Sequence, residues 1–200
     1  MLEIDRIVDH HCHGVITADL ERPEYEALMA EAHLPAPKGC SQFDKPLGLL
    51  IRRHCAPLLD LEPHATASDY VARRLELGGQ EASRRLMRAT GVSELLIDTG
   101  HRSDSILDVP QMAEITNCVT REVPRIEAIM EQAAKQASSA TELVDTFDAL
   151  LQIHSKDAIG LKSIVAYRVT FDIDQTDPNR EDVVQAAGNW LADHQANGWS

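Results

Sequence analysis

Residues 158–171, "AIGLKSIVAYRVTF", decide how the rest of the chain is read. The stretch is long, rich in β-branched side chains and free of proline, the composition of a strand buried on both faces. As a strand it is the fourth of a series. "IDRIVD" (4–9) reads as a short first strand, "SELLIDTG" (93–100) as a second closed by Thr-Gly, and "VPRIEAIME" (123–131) as a third that runs into a helix. The segments between them carry helical patterning. Residues 14–90 are mostly amphipathic and helical, broken by prolines at 23, 35, 37, 46, 57 and 63. Their clearest part is "SDYVARRLELGGQEASRRLMRATG" (68–91), with Ser68 or Asp69 as cap, Gly78–Gly79 as interruption and Gly91 as stop. "DVPQMAEITNCVTRE" (108–122) reads as a helix with Pro110 in its first turn, and "TELVDTFDALLQIHSK" (141–156) as another, with Leu143, Phe147, Leu150 and Leu151 on one stripe. "NREDVVQAAGNWLADHQANG" (179–198) is the last, running out at Gly198.

Strands alternating with helices predict an α/β fold with a parallel sheet. The expected class is a (β/α)8 TIM-barrel type, partial at about four strands, as a single domain over 1–200 with a helical insertion at 14–90. A closed barrel of this type takes about 250 residues. A partial one leaves unpaired parallel edges. The chain is therefore expected to be a fragment, to close against a partner as a homo-oligomer, or to form an open sheet. An open nucleotide-binding sheet would need a glycine-rich turn after the first strand; "HHCHGV" stands there instead.

Composition narrows the function classes. The net charge of −13 disfavours nucleic-acid backbones and anionic membrane surfaces, and aromatics at 4% leave few platforms for base stacking. The partner expected is a small-molecule substrate, not nucleic acid or membrane. Cys12, Cys40, Cys55 and Cys118 make no C-x-x-C pair and no disulfide framework. "MLEIDRIVDH" carries charge where a signal peptide would be apolar, and no run approaches a membrane span, so a cytoplasmic setting is expected.

The first strand ends at the histidines of "IVDHHCHG" (7–14). Side chains alternate along a strand, so His11 and His13 share a face with Asp9, while His10 and Cys12 turn away. Residues two apart are separated by roughly 6.6 Å, close enough for two imidazoles to converge on one ion. Asp9 is placed to ligate or to orient a ring. Two histidines fall short of the three protein ligands usual for catalytic zinc, so further donors must come from elsewhere. Histidines opening a polar surface loop are the plainer reading.

"VDHHCHG" resembles the opening D-x-H-x-H motif of the amidohydrolase superfamily, and "AIGLKSIVAYR" is similar to the fourth-strand region of its type-2, FluG-like branch. The helical insertion after the first strand fits that branch too. The resemblance implies a metal-dependent hydrolase in which a divalent ion, expected to be zinc, activates water for attack on an amide or ester carbonyl. Decarboxylation of the kind some relatives perform is also within its scope. It implies His11 and His13 as metal ligands and suggests Lys162 as a ligand or site residue, since many relatives carry a carboxylated, metal-bridging lysine on that strand. Lys162 lies early in the expected strand, and a lysine paired with a strand-end carboxylate is the competing reading. The family's remaining ligands, histidines after strands five and six and an aspartate after strand eight, have no match in residues 1–200. The alternative is a truncated, non-catalytic half-barrel that binds metal weakly.

Arg168, beside Tyr167, and His101, just past the second strand with Asp98 and Thr99, are candidate substrate-binding groups, against plain readings as a solvated Arg and a loop His. Arg125 and Glu127 would share one face of the third strand as an internal ion pair. His33, Cys40, His54 and Cys55 match no recognised zinc spacing.

Overall fold

The computed structural model describes residues 6–30, 37–174 and 176–197, the last four by backbone alone. In chain order its elements are β1 (Val8–Cys12), α1 (Arg22–Leu28), α2 (Pro46–Leu50), α3 (Ala67–Leu77), α4 (Gly79–Arg88), β2 (Glu94–Asp98), α5 (Val109–Thr116), β3 (Val119–Val123), α6 (Ile126–Gln136), α7 (Ala140–Ser155), α8 (Val165–Arg168) and α9 (Arg180–Asn197). The strands form one parallel sheet in the order β1-β2-β3. Residues 4 and 5 of the expected first strand, His33 and Gly198 lie outside the described residues.

The expected partial TIM barrel of about four strands is not what forms. The described residues are mostly helical around a three-stranded sheet, and 158–171 is not a strand. Only its first part follows β3. The Ile159 amide donates to the Glu122 carbonyl at 3.1 Å, and the Lys162 amide to the Pro124 carbonyl at 2.9 Å. Ile126 returns a bond to the Lys162 carbonyl at 2.9 Å, leaving one isolated parallel bridge, Arg125–Lys162. Glu127 then turns the chain: its Oε1 accepts from the Ser163 hydroxyl at 2.6 Å and the Ile164 amide at 2.9 Å, and the short turn α8 follows. Strand propensity expresses packing against neighbours on both sides. From Tyr167 to Asp174 the chain is exposed, the large apolar side chains of Tyr167, Val169, Phe171 and Ile173 included.

The third strand also lies earlier than expected. Helix α5 starts under an Asp108–Gln111 capping box with Pro110 in its first turn. It stops at Asn117, whose left-handed backbone (φ 61°) is the usual helix-ending conformation. The β-branched residues after it are thereby released into β3. Arg125 occupies the position before the first turn of α6 and Glu127 lies in that turn, so the two never share a strand, and Arg125 pairs with Asp98 instead of Glu127.

Two compact units divide the chain. The first is made from Met1–Asp9, Gly14–Leu95 and Asp104–Thr120. Its core gathers Phe43, Leu59 and Tyr70, fully buried, with Tyr25 stacked on Phe43 at 5.7 Å. Thr66, two residues before the expected Ser68, caps α3 through the Asp69 amide. The Gly78–Gly79 pair separates α3 from α4. Gly78 has φ 78°, and a Cβ on Gly79 would lie 2.4 Å from the Thr17 carbonyl oxygen, so neither position accepts a side chain freely. Three of this segment's arginines are ion-paired, Arg84 and Arg85 with Glu81, and Arg73 and Arg85 with Asp60.

The second unit is made from His10–His13, Leu96–Ser103 and Arg121–Ser200. Its core packs Ala133 and Ala134 of α6 and Leu143 of α7 with Phe147, Leu150, Trp190 and Leu191. Three of the four residues of the expected α7 stripe bear on it: Leu143, Phe147 and Leu150. Among the described residues no helix is long and apolar enough to cross a membrane.

Candidate functional site

The second unit brings together the ends of β1, β2 and β3 with the segment beside β3. Asp98, 2% exposed, closes β2. Its Oδ2 accepts from Arg125 Nη2 at 2.6 Å and its Oδ1 from the Gly100 amide at 2.9 Å. Burial tends to raise this carboxyl, but the Arg125 and Gly100 hydrogen bonds and the charges of Arg125 and His13 hold it below the ordinary carboxylate value. The pairing requires glycine at 100: a Cβ there would lie 2.3 Å from Arg125 Cβ. Thr99 faces the other way along the sheet end, donating to Glu122 Oε1 at 2.9 Å.

Three histidines stand on this base. His13 Nδ1 lies 3.0 Å from the main-chain oxygen of Asp98, which sets the proton on Nδ1 and leaves Nε2 as the lone-pair nitrogen. Metal-binding histidines are commonly oriented by such a bond. The His11 and His13 ring centroids are 6.1 Å apart, and those of His13 and His101 4.9 Å. Burial, followed by the charges of His13, Arg125 and Arg102, lowers the basicity of His101.

Lys162 reaches the same place. Its Nζ lies 2.8 Å from His11 Nε2. An ammonium only donates, so the His11 nitrogen accepts. Lys162 therefore faces an imidazole rather than the strand-end carboxylate of the competing sequence reading. Arg168 lies on the exposed turn α8.

Among the described residues no three His, Cys, Asp or Glu side chains are placed to hold an ion. Asp98, the nearest carboxylate to His13 at 3.9 Å, is committed to Arg125. The Asp98–Arg125 pair is what the sequence reading missed. Its one signal was an aspartate ending an apolar strand, and nothing local to Arg125 marks its partner across 27 residues.

No family model matches the chain, and no curated protein matches it in sequence. Among solved structures it is similar to the crystal structure of a "putative metal-dependent hydrolase" from Lactobacillus casei ATCC 334, at 24% identity and a TM-score of 0.65. The match covers 94% of this chain and 49% of that one, so the chain spans about half the length of that protein and shares the fold of that half.

Proposed function

We propose that the chain forms part of a metal-dependent hydrolase of the amidohydrolase type, acting on a small-molecule amide or ester, with His11 and His13 as ligands of a divalent ion, zinc for preference. The observation that supports this reading is the hold of the Asp98 carbonyl on His13, which presents Nε2 as a ligand nitrogen beside His11. The fold likeness to the Lactobacillus casei protein points in the same direction. Two imidazoles are fewer than a catalytic zinc requires. In this reading the further donors come from outside the described residues or from a second copy. Lys162 and His101 belong to the same proposed site; a role for Arg168 in gripping a substrate carboxylate rests on its residue type alone.

A second reading, a chain that binds metal weakly and catalyses nothing by itself, is favoured by the shortage of donors and the commitment of Asp98 to Arg125. Equilibrium dialysis against zinc with elemental analysis, alongside a panel of ester and amide substrates, tests both. Zinc uptake that weakens at least about tenfold in His11→Ala and in His13→Ala supports ligation by these residues. Equal uptake by wild type and the double variant refutes it. Zinc-dependent hydrolysis lost in both variants separates the enzyme from the passive binder.

A further inference from the structure

An apolar cavity of about 660 Å³ lies in the second unit between α6, α7 and α9, sharing no residue with the histidine cluster. Leu143, Val144 and Phe147 of α7 face Val183, Ala187 and Trp190 of α9 across it. Its volume is within the range of pockets for small organic ligands.

A second hollow, of about 490 Å³, adjoins it, and Pro178 and Asp182 line both. Asp174, Asp177 and Asp182 make this second hollow acidic. Asp174 is held ionised by the Thr176 amide at 2.9 Å and hydroxyl at 2.8 Å, which lower its pKa, and Asp182 accepts from the Asn179 side chain at 2.7 Å. Asp148 adds a further carboxylate to the wall of the apolar cavity. Among the described residues no Lys, Arg or His lines either hollow. An apolar slot thus opens beside a negative one.

We propose that the joined hollows bind an amphipathic organic cation, a primary ammonium on an apolar chain or ring. The apolar tail lies between Phe147 and Trp190, where its removal from water is favourable. The ammonium lies in the acidic hollow, where charge-assisted hydrogen bonds to carboxylates hold it. The net charge of −13 raises the local concentration of such cations and excludes anions of the same shape.

The test is titration calorimetry of the 200-residue chain with 4-phenylbutylammonium, 4-phenylbutanol and 4-phenylbutanoate, with amide NMR shifts to locate binding. The ammonium is expected to bind at least about tenfold more tightly than the alcohol, a difference of about 1.4 kcal/mol. The butanoate is expected not to bind, and shifts should concentrate at 143–148 and 178–190. Asp177→Asn with Asp182→Asn should reduce the ammonium to the affinity of the alcohol. Should that variant not fold, added salt on the wild type gives the same information, weakening the ammonium and sparing the alcohol. Equal affinities for ammonium and alcohol overturn the proposal. So does the absence of binding by either, and if sedimentation then shows a dimer the apolar face is an interface between copies.

Discussion

His13 Nδ1 and the main-chain oxygen of Asp98 lie 3.0 Å apart, so the end of β2 sets the tautomer of a ring carried just past the end of β1. Strand pairing, and not a neighbouring side chain, thus decides which nitrogen His13 presents. His11 reaches the same tautomer by another route, through the Lys162 ammonium at its Nε2.

Both rings should therefore carry their proton on Nδ1 when neutral. Long-range proton–nitrogen correlation spectra in mildly alkaline solution check this. Lys162→Met is expected to release His11 into a tautomer mixture while leaving His13 unchanged. A change in His13 alone would contradict the separate origins of the two orientations.

The Asp98–Arg125 pair is the most buried ion pair of the site, with side chains 3% and 13% exposed. Arg125→Met should destabilise the fold by about 3–5 kcal/mol, because it strands a buried carboxylate. Adding Asp98→Asn should recover a large part of that loss, measured by urea unfolding as a double-mutant cycle. The lowered pKa of Asp98 gives the sign of the pH effect. Its contribution is present above the unfolded-state value of about 3.9 and fades as pH falls through the lower folded-state value. The acid limb of stability against pH should accordingly flatten in Asp98→Asn, and an unchanged limb would assign acid unfolding to other carboxylates.

Gly100→Ala brings a methyl group against the first carbon of the Arg125 side chain, at 2.3 Å before any shift. That carbon is fixed to the backbone, so the turn or the start of α6 must move. Overpacking of this kind is expected to lower stability by about 1–3 kcal/mol. Thermal unfolding measures it, and loss of the Arg125–Asp98 coupling in the same variant would show where the strain goes.

Asn117 ends α5 with φ 61°. Asn117→Ala should cost about 1–2 kcal/mol for placing an ordinary side chain in the left-handed region, whereas Asn117→Gly should be neutral or mildly stabilising. Chemical denaturation of the pair resolves the difference. Equal losses in both would mean that the Asn side chain, rather than its backbone, holds the end of the helix.

The helices were legible because their signals are local. Pro110, the Gly78–Gly79 pair and the Leu143–Phe147–Leu150 stripe mark starts, breaks and buried faces within a few residues. The second strand was legible for the same reason, whereas the first lies later than its apolar run suggests, at Val8–Cys12 through the histidines. The third was displaced because Asn117 was passed over as a stop signal. The fourth failed because the β-branched run of 158–171 says what could pair, and says nothing of whether neighbours exist on both sides. His11 and His13 stood out by spacing alone. The roles of Lys162 and Arg125 depend on contacts 151 and 27 residues distant, and no periodicity encodes those.

The exposure of Tyr167, Val169, Phe171 and Ile173 bears on the colloidal behaviour of the chain. Such a run is a sticky strip between molecules, and mutual repulsion from the −13 charge is what opposes it. As acid neutralises the carboxylates that repulsion falls. Light scattering should then show reversible self-association in mild acid, suppressed by Val169→Lys, and clear solutions of the wild type under those conditions would locate the strip's contacts elsewhere. Storage of this protein is thus a question of pH and ionic strength.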